Sequence, residues 1–154
     1  MKRKIIILRG LQGSGKTTEA KKIVNEDPEH WVRFNRDDIR NMLGKYWVPS
    51  REDLIDDIYF GFLGSALRKG YNIVIDNMNL NEKYVKEIQE LADWFNSFDS
   101  FIYKYEIEVK DFFHVPLQTC IDRDAQRENP IGEKVIRSTF NKYKDKIAQW
   151  KHLD

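Results

Sequence analysis

The sequence predicts an α/β fold in which helices cover both faces of a central parallel sheet of about four strands. Short apolar runs rich in β-branched residues alternate with longer segments that have helical periodicity. Alternation of this kind builds βαβ units, which place consecutive strands parallel and helices on the faces of the sheet. A chain of 154 residues is about one domain in size, and we assign residues 1–154 to a single domain.

Three strands are predicted in the first half of the chain, at residues 4–9, 31–35 and 71–75. The first is a β-branched run without polar alternation, as expected for a strand that is buried on both faces. Helices are predicted between these strands at residues 16–25, 37–43 and 52–69. The third helix has apolar residues at three- and four-residue intervals and ends at Gly70, a residue type that commonly follows a helix.

The second half is predicted to contain one more strand and three more helices. Residues 82–98 have helical periodicity, and residues 101–109 alternate strictly between apolar and polar side chains. Strict alternation indicates a strand with one solvent-facing side, which we place near an edge of the sheet. Residues 117–126 and the segment from Ile136 to Trp150 have the pattern of helices.

A glycine-rich motif follows the first strand and begins the first helix: Gly10-Leu11-Gln12-Gly13-Ser14-Gly15-Lys16-Thr17. It matches G-x-x-x-x-G-K-[ST], the phosphate-binding loop (P-loop) of nucleoside triphosphate-binding proteins. Glycines let successive backbone N–H groups point toward phosphate oxygens. Lys16 is suited to contact the β and γ phosphates, and Thr17 to present its hydroxyl to Mg²⁺. The motif therefore predicts that ATP, or another nucleoside triphosphate, binds together with Mg²⁺.

A second polar cluster follows the second strand: Asn35-Arg36-Asp37-Asp38-Ile39-Arg40. Ligands of open parallel sheets bind beyond the carboxyl ends of the strands, so Asp37 is expected to face the γ-phosphate. A carboxylate there can accept the proton of an attacking hydroxyl. Arg40 shares a helix face with Asp37 and is suited to bind a phosphate of the acceptor. The alternative is that Asp37 or Asp38 only caps a helix and that Arg40 is a solvated side chain.

Two further groups of polar residues complete the candidate site. Asp76 follows the third strand, where P-loop proteins place a carboxylate near Mg²⁺, often through a water; the alternative is a polar turn in which Asn81 caps the next helix. Arg123 and Arg127 lie four residues apart on a predicted helix, before a break at residues 129–132. Such arginines suit a lid that neutralises charge on a moving phosphoryl group. The alternative is that they pair with neighbouring acidic residues: Asp122, Asp124 and Glu128.

Composition restricts the classes of function. A net charge of +1 argues against a nonspecific nucleic-acid binder, although the first quarter of the chain is basic. No apolar run approaches the ~20 residues that cross a bilayer. The single cysteine, Cys120, cannot form an internal disulfide. We therefore expect a cytoplasmic protein that does not contact membranes. The tryptophans and most tyrosines are interpreted as core or helix-face residues rather than as surfaces for base stacking.

Taken together, these motifs resemble the kinase domain of phage-type 5′-polynucleotide kinases. The resemblance rests on these positions: residues 10–18, Asn35-Arg36-Asp37-Asp38 with Arg40, Asp76 with Asn79-Leu80-Asn81, Val115-Pro116, and Arg123 with Arg127. It implies an adenylate-kinase-like, three-layer P-loop fold with a helical lid and with the third strand beside the first. For a phage-encoded protein, the expected location is the host cytoplasm. The separate phosphatase domain of the phage enzyme has no expected counterpart here.

The resemblance also implies a reaction and a role for each site residue. ATP would donate its γ-phosphate to the 5′-hydroxyl end of DNA or RNA. Asp37 would be the general base, and Arg40 would contact the acceptor's phosphate. The triphosphate would be held by Lys16, Thr17 and Thr18, with Thr17 and Asp76 at the metal. Arg127, supported by Arg123, would face the transferred phosphoryl group.

Two other functions stay open. One is a P-loop kinase whose acceptor is a small molecule such as a nucleoside, a sugar or an antibiotic, because the same Asp37 base would serve it. The other is a nucleotide-binding module that transfers no phosphate; a passive binder needs no base, so Asp37, Asp76 and the arginine pair disfavour it. The sequence predicts neither a preference for DNA or RNA nor an oligomeric state.

Overall fold

A four-stranded parallel sheet forms the centre of the computed structural model, which describes residues 1–153. Its strands are β1 (Lys2–Arg9), β2 (Trp31–Phe34), β3 (Asn72–Ile75) and β4 (Lys104–Asp111). They are arranged in the order β2-β3-β1-β4, and every neighbouring pair is parallel. The predicted fold class is therefore confirmed, including the position of the third strand beside the first and of the fourth strand at an edge.

Six α-helices connect and cover these strands within the described residues. They are α1 (Lys16–Glu26), α2 (Arg36–Met42), α3 (Glu52–Lys69), α4 (Glu82–Asn96), α5 (Leu117–Ala125) and α6 (Glu133–Leu153). A short 3₁₀ turn, Pro49–Arg51, leads directly into α3. Within residues 1–153, no helix has both the length and the apolar character that a membrane span requires.

The sheet is apolar on both faces because helices pack on each of them. Ile5 and Ile7 of β1 are fully buried in a core shared with α3 and α4. Leu8 points to the opposite face, where it packs with Ala20 of α1. Successive strand residues alternate between faces, so two covered faces require the unbroken apolar run that predicted this strand.

Several predicted boundaries differ from the structure, and one tertiary contact explains two of them. The helix predicted at residues 82–98 ends at Asn96, and the strand predicted to begin at residue 101 begins at Lys104. The side chain of Asn96 donates a hydrogen bond to the carbonyl of Tyr105 and accepts one from its N–H, each at 2.8 Å. Asn96 thereby ties the end of α4 to β4, and Phe101 stacks on Phe95 instead of extending the strand.

The loops after β1 and β3 are joined at the carboxyl edge of the sheet. The N–H of Gly10 donates to the carbonyl of Met78 at 3.0 Å. The buried side chain of Asn79 donates to the carbonyl of Leu8 at 2.7 Å. These two bonds fix the phosphate-binding loop against the loop that carries Asp76, so the polar clusters predicted from the sequence meet at one edge.

Candidate active site

The glycine-rich loop between β1 and α1 depends on two residues with positive φ. Gly13 has a φ of 77° and Gly15 has a φ of 102°, both in the region that favours glycine. A Cβ at Gly13 would overlap the carbonyl oxygen of Cys120 in α5. The close approach of α5 therefore requires glycine at this position, and it holds the loop curled around the start of α1.

Lys16, the first residue of α1, is buried with its ammonium group folded over the loop. Its Nζ donates to the carbonyl oxygens of Gly10 at 2.9 Å and Leu11 at 2.7 Å. Burial lowers the pKa of Lys16 to about 8, and the nearby Asp76 carboxylate opposes that shift only in part. The loop thus contains a desolvated cation that an anionic phosphate would stabilise in its charged form.

This environment predicts proton uptake when nucleotide binds. At a pH above about 8, a large fraction of the free protein would have an uncharged Lys16, because its pKa is lowered to about 8. Bound phosphates favour the ammonium form, so ATP binding should take up about that fraction of a proton, and affinity should fall as the pH rises above 8. Calorimetric titrations in two buffers of different ionisation enthalpy would measure this uptake. Lys16→Arg is the control, because an arginine stays charged; equal uptake in both proteins would contradict the prediction.

A buried ion pair holds Asp76 at the end of β3. Arg33 donates from Nε to Asp76 Oδ2 at 3.0 Å, and Asn35 Nδ2 donates to Oδ1 at 3.0 Å. Arg33 also forms an ion pair with Asp38 at 2.9 Å. Arg33 was not among the predicted site residues, although it is a charged residue in the middle of an otherwise apolar strand. Because both Asp76 oxygens already accept hydrogen bonds, this carboxylate suits an indirect contact with a metal through water.

Two interpretations based on helix caps have opposite outcomes. Asn35 caps α2, since its side-chain oxygen accepts from the N–H of Asp38 at 2.7 Å. Neither Asp37 nor Asp38 is the cap, so that alternative is wrong. Asn81 does cap α4 by accepting from the N–H of Lys83 at 3.0 Å. This cap is compatible with a buried Asp76 five residues earlier.

Asp37 lies in the first turn of α2 with only one of its two oxygens engaged. Its Oδ1 accepts from Arg40 Nη1 at 2.7 Å and from Tyr46 Oη at 2.8 Å. No hydrogen bond from the described residues reaches Oδ2. Partial burial, together with the hydrogen bond to the Asp37 carboxylate, raises the pKa of Tyr46 to about 12, so its hydroxyl stays protonated and donates. The two donors hold the carboxylate in one orientation and leave Oδ2 available to a ligand.

Arg40 is positioned by a second carboxylate, that of Glu52 at the start of α3. Nε and Nη2 of Arg40 donate to the two Glu52 oxygens at 3.0 and 2.9 Å, a bidentate arrangement. This pairing raises the pKa of Arg40 and lowers that of Glu52. Arg40 is therefore not a freely solvated side chain. One N–H on each terminal nitrogen remains for another acceptor.

The lid, defined as residues 126–132, connects α5 to α6. It carries Arg127, so the prediction that Arg127 shares a helix with Arg123 is wrong, because α5 ends at Ala125. Asp124 is buried beneath it and accepts from the N–H groups of Ile131 at 3.1 Å and Gly132 at 2.9 Å. Nη1 of Arg127 lies 3.8 Å from Oδ1 of Asp124, and nearly half of the Arg127 side chain is exposed. The alternative that acidic residues pair with the arginines is therefore partly right for Arg127. Arg123 instead donates to the carbonyl of Gly13 at 3.4 Å, against the phosphate-binding loop.

One cleft of about 300 Å³ brings most of the predicted site residues together. The site residues that line it are Gly13, Gly15, Lys16, Thr17, Thr18, Asp37, Arg40, Asp76 and Arg127. Gly10 and Ser14 are buried within the loop, and Arg123 lies beside the loop. The charges of Asp76, Arg127 and Asp37 all act on Lys16. A cation for phosphates, a carboxylate and a lid arginine thus share one space, the arrangement that phosphoryl transfer requires.

The donor groups in this cleft fit Mg²⁺ bound together with a nucleotide. Thr17 has an exposed position at the start of α1, and Asp76 supplies a carboxylate across the cleft. No group of three or more His, Cys, Asp or Glu side chains in residues 1–153 is arranged to hold a metal. Mg²⁺ commonly takes only one or two protein ligands and completes its shell with substrate phosphates and water. A hydroxyl and one carboxylate are sufficient for that mode.

Three solved structures share this fold, and two of them are also similar in sequence, at 25% identity or more. A chain of the Pnkp1/Rnl/Hen1 RNA repair complex has a TM-score of 0.68 and 25% identity over 94% of this chain and 46% of its own. A chain of a second Pnkp1/Rnl/Hen1 complex structure has a TM-score of 0.61 and 27% identity over 79% of this chain and 38% of its own. The chain thus spans less than half the length of these two relatives.

A gluconokinase from Sinorhizobium meliloti 1021 has a TM-score of 0.51 and 15% identity over 88% of this chain and 72% of its own, a likeness of fold alone. A search of curated protein sequences found no match. A family model described as an AAA domain matches residues 5–149. Because that match covers nearly the whole chain and includes the phosphate-binding loop, this protein belongs to the AAA domain family and has the fold of a P-loop kinase domain.

Proposed function

We propose that this chain is a polynucleotide 5′-hydroxyl kinase, which transfers the γ-phosphoryl group of ATP to the 5′-hydroxyl of DNA or RNA. The observation that carries the proposal is the placement of Asp37, whose Oδ2 accepts no hydrogen bond from the described residues, in the same cleft as Lys16. Similarity of 25–27% to chains of an RNA repair complex supports a nucleic-acid acceptor. The gluconokinase has a lower sequence identity to this chain, 15%.

The reaction begins with the 5′-hydroxyl hydrogen-bonded to Asp37 Oδ2. The hydroxyl oxygen attacks the γ-phosphorus, and its proton passes to the Asp37 carboxylate. The bond between the γ-phosphorus and the β–γ bridging oxygen breaks, and ADP leaves with that oxygen. Arg40 and Tyr46 hold Oδ1, so the carboxylate is already oriented when the acceptor arrives. No covalent intermediate with the protein is required.

The opposite wall of the cleft stabilises the charge of the triphosphate. Lys16 moves from the loop carbonyls to the β and γ phosphates, and Arg127 neutralises charge that develops on the phosphoryl oxygens. Thr17 and, through water, Asp76 would hold Mg²⁺. When bound, this ion supplies further charge neutralisation at the β and γ phosphates. Arg40 uses its two remaining N–H groups to hold a phosphate of the acceptor strand.

A labelled-ATP assay tests this proposal directly. The wild-type chain is incubated with γ-labelled ATP and DNA or RNA oligonucleotides that carry either a 5′-hydroxyl or a 5′-phosphate. We expect label on the 5′-hydroxyl oligonucleotides and none on the 5′-phosphorylated controls. Mononucleosides, gluconate, other sugars and aminoglycosides are tested in parallel. Label on a small molecule without label on any oligonucleotide would assign the chain to the small-molecule kinases, and release of free phosphate alone would contradict both assignments.

A further inference from the structure

The loop between α2 and the 3₁₀ turn, residues 43–48, presents two adjacent aromatic rings beside Asp37 and Arg40, which line the cleft. Tyr46 is 47% exposed and Trp47 is 55% exposed. The interpretation of the tryptophans as core or helix-face residues is wrong for Trp47, which lies in a loop. It holds for Trp150, which is buried, and for Trp94, which lies on an outer face of α4. Sequence periodicity could not identify a residue in an irregular loop.

Contacts at both ends of this loop fix its position. Arg51 donates from Nη1 to the carbonyl of Leu43 at 2.9 Å, which closes the loop at its base. The bidentate pair between Arg40 and Glu52 joins α2 to α3 beside it. The loop is therefore tied at both ends, and the Tyr46 ring is held by the hydrogen bond from its hydroxyl to Asp37.

Each ring lies beside a residue that is proposed to act on the acceptor: Tyr46 beside Asp37, and Trp47 beside Arg40. Tyr46 donates its hydroxyl hydrogen to Asp37 at 2.8 Å. The guanidinium carbon of Arg40 lies 5.8 Å from the centre of the Tyr46 ring and 5.9 Å from the centre of the Trp47 ring. Trp47 thus lies beside Arg40, which in turn donates to Asp37, and more than half of the Trp47 side chain faces solvent.

We propose that Trp47 is the stacking surface for the base of the acceptor's 5′-terminal nucleotide. This inference rests on the proposed function and specifies the substrate: a nucleotide chain whose first base touches the protein. In a nucleoside the 5′-hydroxyl and the base are attached to the same ribose. A 5′-hydroxyl that is hydrogen-bonded to Asp37 therefore places the base near the side chains that surround Asp37 and Arg40. Every base has a π-face, so a tryptophan at this position accepts any of the four bases. A sugar or gluconate has no such face and would gain nothing from Trp47.

Steady-state kinetics of Trp47→Ala test the inference. Loss of one stacking contact should raise KM for a 5′-hydroxyl oligonucleotide by about tenfold, with KM for ATP unchanged. Trp47→Phe should recover most of the affinity, because it retains an aromatic face. The matched control is Trp94→Ala, which removes a similarly exposed tryptophan, 58% exposed, on α4 and should leave both constants unchanged. Melting curves confirm that each variant is folded.

A change in the substrate shows whether Trp47 contacts the base itself. An oligonucleotide whose 5′-terminal nucleotide lacks its base should bind wild type about tenfold more weakly, yet bind Trp47→Ala no more weakly than the intact oligonucleotide does. Such non-additivity is the signature of a direct contact. Equal losses in both proteins, or an unchanged KM in Trp47→Ala, would overturn the stacking role while leaving the kinase assignment intact. Failure of wild type to label any oligonucleotide would overturn both.

Discussion

Replacing Asp37 with asparagine is expected to lower kcat for phosphoryl transfer by about 10²–10⁴-fold while the affinity for ATP stays within about twofold. The asparagine oxygen can still accept hydrogen bonds from Arg40 and Tyr46, so the local structure is preserved. The amide cannot take the proton of the attacking hydroxyl. Single-turnover assays with a 5′-hydroxyl oligonucleotide, together with ATP titrations, measure the two quantities separately.

Asp93 offers a matched control for this substitution. It is also an exposed helical aspartate whose side chain accepts one hydrogen bond, from Gln89 at 2.9 Å, but it lies on α4 outside the cleft. Asp93→Asn should transfer phosphate at the wild-type rate. If Asp37→Asn also retained a rate within about threefold of wild type, proton transfer to this carboxylate would not contribute to the reaction, and the proposed mechanism would fail.

Replacing Arg127 with alanine should reduce kcat by about 10³-fold, with only a small change in the affinity for ADP. Arginines that face a transferred phosphoryl group contribute mainly in the transition state, when charge spreads over the phosphoryl oxygens. Arg127 lines the cleft, and its positive charge contributes to lowering the pKa of Lys16. Arg127→Lys should recover only part of the rate, because a lysine offers a point charge instead of a planar pair of donors.

Arg68 provides the comparison for the lid arginine. It is an exposed arginine in the last turn of α3, before the amino end of β3 and so at the edge of the sheet opposite the cleft. Arg68→Ala should retain full activity. An Arg127→Ala variant with normal kcat but a raised KM for ATP would show that Arg127 acts in ground-state binding alone.

Features that depend on neighbouring residues could be predicted well. The phosphate-binding loop is a contiguous motif, and its position between a buried strand and a helix follows from apolar periodicity. The bounds of α3 agree with the prediction because its amphipathic pattern and Gly70 act within one segment. By contrast, the end of α4 and the start of β4 are set by the hydrogen bonds between Asn96 and Tyr105. These two residues are far enough apart in the chain that no local pattern contains the contact.

The candidate site was predictable only in part. Asp37, Asp76 and Lys16 could be found because parallel strands bring their carboxyl ends to one edge, so residues after different strands converge. Their partners could not be found in this way. Arg33 reaches Asp76 across two neighbouring strands, and Glu52 reaches Arg40 between two helices. Tyr46 bonds to Asp37 from an irregular loop, where no period constrains the direction of a side chain.

The sequence by itself determined the class of fold, the nucleotide-binding loop and the edge of the sheet where chemistry can occur. These properties follow from the order of apolar segments and from the backbone freedom of glycine, both of which are local. Only the tertiary structure decided which oxygen of Asp37 is left for a ligand, how far burial shifts the pKa of Lys16, and that Trp47 lies beside Arg40. Each of these depends on distances between residues far apart in the chain, and such distances are set by packing.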